Sequence, residues 1–360
     1  MTPVRIGVIG CGAISGAYLG MAAKFPAVQV VACADLDLDR ARAKAAEYHI
    51  PKACTVDDLL ADPAIEIVLN LTVPKAHAPI ALAALHAGKH TYCEKPLGIT
   101  RDEGRQIIEL AKSKNLLVGC APDTFMGAGI QTARHLIESG AIGRPVAFTA
   151  FMMGRGHESW HPSPAFYYQV GGGPMFDMGP YYLTALLQLL GPVRRLAGTA
   201  TIAIPERTIT SKPKAGQKIT VETPDHVCGT IEFANNCTGV IIQSFATFAP
   251  QYDAKQPITI YGTEGTLKVP DPNQFDGPVH LRQLADSDFR EVPPTSPTGY
   301  GRSVGLAEMA IALRTNRPFR ATGAQGHYVL DLMAGFFDSA TSGRAYEPVA
   351  EWPGTPPPLL

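Results

Sequence analysis

Short apolar runs alternate with helical patterns along the first 120 or so residues of the chain. The runs are rich in β-branched residues, and the segments between them repeat apolar residues at the spacing of an amphipathic helix. Strands that alternate with helices are typical of a parallel sheet with helices on both faces. The pattern predicts strands at 5–9, 29–34, 65–71, 90–93 and 116–120, and helices near 14–25, 39–48, 77–87 and 101–114.

The pattern changes after about Pro122, and most of the later strands have no helices between them. This indicates an antiparallel or mixed sheet with helices on one face. Helices are predicted near 128–139, 175–190, 304–315 and 328–342, strands at 146–152, 195–201, 226–233, 238–247, 257–261, 266–269 and 279–283, and a proline-rich tail at 353–358. The fold class is therefore α/β, with a doubly wound parallel sheet in a first domain, 1–122. The second domain, 123–360, has late helices that could pack back on the first.

The composition is that of an ordinary globular protein: 46% of the 360 residues are hydrophobic, 18% are charged, and the formal net charge is −1. A charge this close to zero favours neither nucleic acid nor an anionic membrane as a partner. No apolar run approaches the ~20 residues of a membrane helix, and the first residues read as a strand rather than as a signal peptide. The seven cysteines include no CxxC pair, which is typical of reduced thiols. We therefore expect a soluble cytoplasmic protein.

The segment GCGAIS, which begins at Gly10, ends the first predicted strand and opens the first predicted helix. Gly10 permits a tight turn, and Gly12 lets the backbone approach a pyrophosphate. The start of the helix offers N–H groups, from Ala13 and Ile14 onward, and a positive partial charge to that anion. Ser15 stands where the dinucleotide motif usually has its third glycine. The segment predicts a dinucleotide site.

The second predicted strand leads into Asp35, which lies 25 residues after Gly10. A carboxylate at this place can accept hydrogen bonds from both ribose hydroxyls of the adenosine, and it repels a 2′-phosphate. Asp35 therefore favours NAD as the cofactor. NADP stays open because Arg40 could reach a phosphate, and Asp35 could instead cap the turn before the next helix.

Polar residues follow two further strands at their carboxyl ends, where open α/β sheets bind ligands. Thr72 and Pro74 follow the third predicted strand, and Glu94 and Lys95 follow the fourth. We expect these residues to line the cofactor site. Beside a cationic nicotinamide ring, Lys95 would give up its proton readily and could exchange it with a substrate. Without that context it would be a solvated surface lysine.

Four segments together are similar to the Gfo/Idh/MocA family of oxidoreductases. They are GCGAIS, ALAALHAGKHTYCEKPLG, GGGPMFDMGPYYLTAL and YGTEGTL, in that order between about Val4 and Leu267, and EKP with its preceding AGKH is the most specific part. The resemblance implies an N-terminal Rossmann domain and a C-terminal α/β domain. That second domain would have a large open, mostly antiparallel sheet, through which a homodimer or homotetramer would assemble. The resemblance also implies NAD or NADP as cofactor and a sugar, inositol or related polyol as substrate.

The resemblance implies roles for single residues as well. Lys95 matches the lysine of the EKP motif, implicated in proton transfer and substrate orientation, and Asp177 matches the aspartate of the GGG motif. His77 keeps a family position, on the structural or cofactor side of the site. At the position where the family usually has the histidine that serves as acid and base, this chain has Tyr181. Tyr181 lies four residues after Asp177 in one predicted helix. Either Lys95 lowers the pKa of Tyr181 by stabilising its phenolate, so that Tyr181 can act as the base, or Tyr181 only positions the substrate and another group takes the proton.

A loop of unusual composition, GHESWHP at 156–162, lies where this family builds its substrate site. Trp160 could stack on a sugar face, and His161 is the first candidate to supply the missing imidazole, with His157 the second. The loop could instead pack as a hydrophobic lid. A metal held by the His-x-x-x-His spacing is not expected, because prolines follow at once and no third ligand is evident.

Asp123 lies in the link between the two predicted domains, where the family often has an asparagine and an arginine. It could touch the substrate or the nicotinamide ribose. It could equally be a cap or hinge residue, and the sequence does not separate these roles.

Together these features predict an NAD-dependent oxidoreductase that transfers a hydride between nicotinamide and a carbinol carbon of a sugar or polyol. Lys95, with Tyr181 or a loop histidine, would handle the hydroxyl proton, and Asp177 would orient the hydroxyl. One alternative is glycoside cleavage with retained NAD, by transient oxidation, elimination and water addition. Another is a non-catalytic sugar or nucleotide sensor on the same fold, against which the retained EKP motif and Asp177 argue.

Overall fold

The computed structural model describes residues 1–354 and 356 and divides into two compact units. The first unit comprises Met1–Met126, Tyr300–Leu330 and a short C-terminal piece that begins at Trp352. The second comprises Gly127–Gly299 and Asp331–Glu351. The first unit thus extends four residues beyond the predicted boundary at 122 and includes a late segment of the chain. Of the predicted proline-rich tail, residues 355, 357 and 358 lie outside the described residues.

The first unit is built on a six-stranded sheet in the order β3-β2-β1-β4-β5-β6, with every neighbouring pair parallel. Strand β4 is buried along its whole length, as expected for a sheet covered on both faces. This is the predicted doubly wound Rossmann sheet. Its strands are β1 (Val4–Ile9), β2 (Val28–Ala34), β3 (Lys52–Cys54), β4 (Ile67–Asn70), β5 (His90–Cys93) and β6 (Val118–Cys120), and its helices are α1 (Ser15–Ala22), α2 (Leu38–Glu47), α3 (Val56–Ala61), α4 (Pro74–His86) and α5 (Arg101–Ser113).

The second unit is built on an eight-stranded sheet in the order β16-β15-β14-β13-β7-β12-β11-β8. All neighbours are antiparallel except β7 and β12, which confirms a large, mostly antiparallel sheet. Strands β9 and β10 form a separate two-stranded ribbon that the pattern did not predict. The strands are β7 (Pro145–Met153), β8 (Val193–Thr201), β9 (Glu206–Thr208), β10 (Lys218–Thr220), β11 (His226–Phe233), β12 (Thr238–Ser244), β13 (Ile258–Gly262), β14 (Gly265–Val269), β15 (Val279–Gln283) and β16 (Arg290–Val292). The remaining α-helices among the described residues are α6 (Ala128–Glu138), α7 (Gly173–Asp177), α8 (Gly179–Leu190), α9 (Val304–Thr315) and α10 (Gly323–Ser342).

The helix predicted at 175–190 is two helices, with Met178 between them. Helix α7 ends at Asp177 and α8 begins at Gly179, next to Pro180, which has no N–H to continue the hydrogen bonding of a preceding helix. Asp177 and Tyr181 therefore lie on different helices. The expectation of one continuous helix is wrong, and the Gly-Pro pair is the sequence signal of the break.

Helix α10, with 20 residues, has the length that could span a bilayer. Its sequence contains Asp331 and Asp338, which do not suit a lipid-facing helix. In the described part of the chain, no helix combines enough length with enough apolar composition to cross a membrane.

Candidate active site

The turn after β1 requires glycine at one position and leaves open space at another. Gly10 has a φ of +100°, and a Cβ there would lie 2.6 Å from the carbonyl carbon and oxygen of Leu71. A Cβ at Gly12 would meet no protein atom within 4 Å. The packing of the protein therefore explains Gly10 but not Gly12. Open space over Gly12, at the start of a helix, is what a dinucleotide pyrophosphate needs for close approach.

Asp35 holds the glycine turn from the end of β2. Its Oδ2 accepts a hydrogen bond of 2.8 Å from the N–H of Cys11, and its Oδ1 accepts one of 3.0 Å from the N–H of Asp37. The guanidinium of Arg40 lies 3.3 Å from the same Oδ1. The carboxylate thus lies beside the turn, where a ribose would be recognised, and Arg40 is close enough to bear on the choice between NAD and NADP.

Ser15 stands at the position of the third glycine of the usual motif, and Gly16 follows it. The hydroxyl of Ser15 donates to the carbonyl of Gly12 at 2.7 Å and so closes the first turn, which also contains Ala13 and Ile14. A Cβ at Gly16 would lie 2.9 Å from the hydroxyl of Tyr48. Glycine at position 16 thus leaves room for the Tyr48 hydroxyl.

Glu94 anchors the loop that carries Lys95. The side chain is 5% exposed, its Oε1 accepts a hydrogen bond of 2.7 Å from the Tyr18 hydroxyl, and its Oε2 accepts one of 2.8 Å from the N–H of Lys95. The guanidinium of Arg302 lies 3.9 Å from Oε1. Burial, together with the neighbouring carboxylate of Glu94, raises the pKa of Tyr18 well above its ordinary value, so the phenol stays a donor. Glu94 thus links Tyr18 of helix α1 to the backbone of the half-buried Lys95.

His77 joins the two loops at the carboxyl ends of β4 and β5. Its Nδ1 lies 2.6 Å from the carbonyl oxygen of Pro96, and its Nε2 lies 3.0 Å from that of Thr72. Burial lowers the pKa of this imidazole, so we expect a neutral ring that donates to one of the two carbonyls. The hydroxyl of Thr72 donates in turn to the buried Asn70 at 2.7 Å, and Pro74 begins α4. His77 is a linking residue for these loops.

Asp123 makes the contacts of a helix cap. The side chain is fully buried, and its Oδ2 accepts hydrogen bonds of 3.1 Å from the N–H groups of Ser303 and Gly305, at the start of α9. Burial raises the pKa of this carboxyl to about 6, against the opposing effect of Arg302. Of the two roles that the sequence left open, these contacts favour the cap.

In the second unit, the structure brings His157 to Asp177. The imidazole Nε2 lies 3.3 Å from Oδ2 of the carboxylate. The ring is stacked on Tyr167 with a centroid separation of 3.8 Å and meets Phe245 edge to face at 4.6 Å. His157 is buried, and its Nδ1 has no hydrogen-bond partner among the described residues. Its Nε2 edge is the one directed at the carboxylate.

His161 belongs to the aromatic cluster around this pair rather than to the pair itself. Its Nδ1 accepts a hydrogen bond of 3.0 Å from the N–H of Ser163, and burial lowers the pKa of the ring. Trp160 is 62% exposed and lies 5.1 Å from the His157 ring, while Tyr181 is buried in α8. These contacts reverse the order in which the sequence placed the two histidines, because His157 is the one that reaches Asp177.

Sequence reasoning missed the residues that surround the loop from inside the second unit. Arg207, in the short strand β9, contacts Glu158 and Asp225 at 2.8 and 2.7 Å, and it lies against the ring of Tyr168. A three-residue strand has no readable period, and an arginine in an unpredicted strand gives no sign of its partners.

Comparison with known proteins agrees with this description. Residues 4–121 match the oxidoreductase family model with an NAD-binding Rossmann fold, and residues 130–268 match the GFO/IDH/MocA C-terminal domain model. The sheet, the glycine turn and these matches define an NAD-binding oxidoreductase. Since the two matches cover more than half of its length, the chain belongs to the GFO/IDH/MocA family.

Two relatives that match over most of their own length carry names that describe an activity. The 1,5-anhydro-D-fructose reductase of Ensifer adhaerens is 27% identical over 348 residues, which cover 95% of this chain and 98% of that protein. The levoglucosan dehydrogenase of Pseudarthrobacter phenanthrenivorans is 29% identical over 297 residues, covering 74% and 73%. Other relatives, among them an inositol 2-dehydrogenase, match over about half of their length or less.

A solved structure shows the same fold. It is a levoglucosan dehydrogenase in complex with NADH and L-sorbose, and it is 24% identical to this chain. It superposes with a TM-score of 0.82 and covers 96% of this chain and 99% of its own. The likeness to this structure is one of fold.

Proposed function

We propose that this protein is an NAD-dependent dehydrogenase, or a reductase in the reverse direction, that acts on a carbinol carbon of a sugar, an anhydro sugar or a polyol. The contact between His157 and Asp177 carries the proposal, because it supplies an imidazole and a carboxylate in a chain whose first domain binds NAD. The substrate class is supported by the relatives that are named for anhydro sugars.

The cofactor fits the residues at the carboxyl edge of the parallel sheet. The open turn at Gly12 and the N–H groups of Ala13 and Ile14 would hold the pyrophosphate, and Asp35 would hold the adenosine ribose. The loops that begin at Thr72 and Glu94 would line the nicotinamide side. When bound, NAD supplies the acceptor of a hydride from the substrate carbon.

His157 and Asp177 would manage the proton of the substrate hydroxyl. We expect the hydrogen of the neutral ring on Nε2, which faces Oδ2 of Asp177 at 3.3 Å, because Nδ1 has no partner among the described residues. The pair would then accept the substrate proton on the carboxylate, which the imidazole N–H orients. Lys95, the counterpart of the EKP lysine, would orient the substrate oxygen. Tyr181 would position the substrate rather than take its proton.

The aromatic residues around the pair suit a ring with an apolar face. Trp160 is the most exposed ring next to His157, and a pyranose or cyclitol presents C–H groups that stack on an indole. Phe166 and Tyr167 belong to the same aromatic cluster, with a centroid separation of 4.1 Å.

The test is a panel of levoglucosan, 1,5-anhydro-D-fructose, inositol and common aldoses with NAD(H) and NADP(H), read by the absorbance of the reduced cofactor. The proposal expects turnover with at least one member and a preference for NAD. Release of free sugar from a glycoside without net NADH would instead indicate cleavage with retained NAD. Binding without turnover, unchanged in Lys95→Ala, would indicate a sensor.

A further inference from the structure

A buried ion cluster lies behind the loop that carries His157. The Arg207 side chain is 1% exposed and contacts two carboxylates, Oε1 of Glu158 at 2.8 Å and Oδ2 of Asp225 at 2.7 Å. Asp225 is fully buried. Burying Arg207 and Asp225, with Glu158 mostly shielded from solvent, costs desolvation energy, and apolar residues of similar volume often serve stability as well or better. A cluster of this kind therefore calls for a reason beyond stability.

The cluster holds the main chain on both sides of His157. The guanidinium of Arg207 donates to the carbonyl of Arg155 at 2.7 Å. The hydroxyl of Tyr168 accepts from the N–H of His157 at 2.9 Å and donates to the carboxylate of Glu158. Arg207 also forms an ion pair with the Glu158 carboxylate, so its guanidinium contacts the residues on both sides of His157.

Two further features fix the same loop. The carbonyl of Glu158 accepts hydrogen bonds from the N–H groups of Thr210 and Ser211 at 2.9 and 3.0 Å, just beyond the strand that carries Arg207. Gly156 has a φ of +106°, and a Cβ there would overlap the Tyr168 hydroxyl and lie 2.9 Å from Nη1 of Arg207. The backbone is thus pressed directly against the ion cluster.

We propose that Arg207 is a positioning residue that sets the His157 imidazole against Asp177, with Asp225 fixing the guanidinium from behind. The chain of contacts runs from Asp225 to Arg207, on to Glu158 and Tyr168, and ends at the backbone of the histidine. The proposal rests on the proposed function of the His157–Asp177 pair.

The test uses Arg207→Lys and Tyr168→Phe in the full-length protein. Lysine keeps the charge between the two carboxylates but lacks the planar fork, so it cannot hold Glu158, Asp225 and the Arg155 carbonyl together. Tyr168→Phe keeps both ion pairs and removes only the hydroxyl that links His157 to Glu158. The matched control is Arg320→Lys, which alters another buried pair, with Glu308 at 2.9 Å, in the first unit.

The first readout needs neither cofactor nor substrate. The His157 ring is stacked on Tyr167, so we expect its ring-proton resonances to be shifted, and in a histidine-labelled sample they would be assigned by their loss in His157→Gln. We expect Arg207→Lys and Tyr168→Phe to move these resonances toward unstacked values and Arg320→Lys to leave them in place. In turnover, we expect kcat to fall about 10- to 100-fold in the first two variants, with an unchanged KM for NAD.

Folded Arg207→Lys and Tyr168→Phe proteins whose His157 resonances match the wild type would overturn the proposal. An equal shift of these resonances in Arg320→Lys would also overturn it, because the effect would then reflect a general loss of stability rather than the loss of one contact. If the wild type turns over no substrate in the panel, the proposed function fails, but the resonances still decide whether Arg207 positions His157.

Discussion

Nε2 of His157 lies 3.3 Å from Oδ2 of Asp177, so a loop and the end of helix α7 together present an imidazole and a carboxylate. The position that usually carries the family's histidine is a buried tyrosine, Tyr181, in this chain. In the proposed function, this pair accepts the substrate proton, and its imidazole comes from a different segment of the sequence.

The first prediction separates the two loop histidines. We expect His157→Ala to lower kcat by about 10²- to 10⁴-fold, because it removes one member of the proposed proton-accepting pair. His161→Ala removes a ring of the same size from the same aromatic cluster and should lower kcat by less than about 10-fold. Steady-state kinetics of both variants provides the measurement. Equal losses, or a larger loss in His161→Ala, would contradict the assignment.

The second prediction separates a glycine that the fold needs from one that the cofactor needs. Gly12→Ala should keep the wild-type stability, since no protein atom lies within 4 Å of the new methyl group. It should nevertheless weaken NAD binding by at least about 10-fold, or about 1.4 kcal/mol. Gly10→Ala should destabilise the protein itself by about 1–3 kcal/mol or more, because of the positive φ and the contact with Leu71.

Thermal unfolding and calorimetric titration with NAD measure the two effects. An unstable Gly12→Ala protein, or one that binds NAD like the wild type, would argue against pyrophosphate binding at this turn.

The third prediction concerns the anchor of the Lys95 loop. Tyr18→Phe removes the donor to Oε1 of the buried Glu94, which should cost about 1–3 kcal/mol in the free energy of unfolding and should also lower kcat. Tyr92→Phe is the matched control, because the Tyr92 hydroxyl is buried and has no hydrogen-bond partner among the described residues. Its removal should be neutral or stabilising by about 1 kcal/mol. Urea unfolding of the two variants checks this, and indistinguishable stabilities would count against the anchor.

The fourth prediction uses the pH dependence of stability at Asp123. Burial raises its pKa to about 6 in the folded protein, from an ordinary value near 4, so the folded state holds the proton more tightly than the unfolded state. The stability that this contributes is complete below about pH 4 and is lost as the pH rises through about 6. Asp123→Asn keeps an acceptor for Ser303 and Gly305 but cannot ionise.

The stability of Asp123→Asn relative to the wild type should therefore increase by up to about 3 kcal/mol between pH 4 and pH 7. Denaturant unfolding at a series of pH values measures this difference. Parallel curves would show that Asp123 does not titrate in this range. A large rise in the KM for substrate at neutral pH would favour the ligand role over the cap.

The sequence predicted most of the parallel sheet because its strands are continuous apolar runs separated by periodic helices. His90–Cys93 was predicted without error, and the other central strands within one or two residues. The strand Lys52–Cys54 and the helix Val56–Ala61 were missed, because elements of three and six residues show no period. The break at Met178 was missed because the apolar pattern continues across it.

The cofactor turn could be located from the sequence because its parts follow one another along the chain. The partners of Asp123 lie about 180 residues away, at Ser303 and Gly305, so nothing local distinguishes a cap from a ligand. The choice between His157 and His161 depends on the path of the loop. That path is set by contacts with Arg207, which is about 50 residues later in a strand that has no signature.

The most direct test of the central claim follows the hydride itself. The protein would be incubated with NAD and an active substrate from the panel that carries deuterium on its carbinol carbons, and the reduced cofactor would be examined by NMR and mass spectrometry. Our account predicts one deuterium at C4 of the nicotinamide, in wild-type protein at full rate and in His157→Ala at a strongly reduced rate. Product that forms while the cofactor stays unlabelled would contradict it.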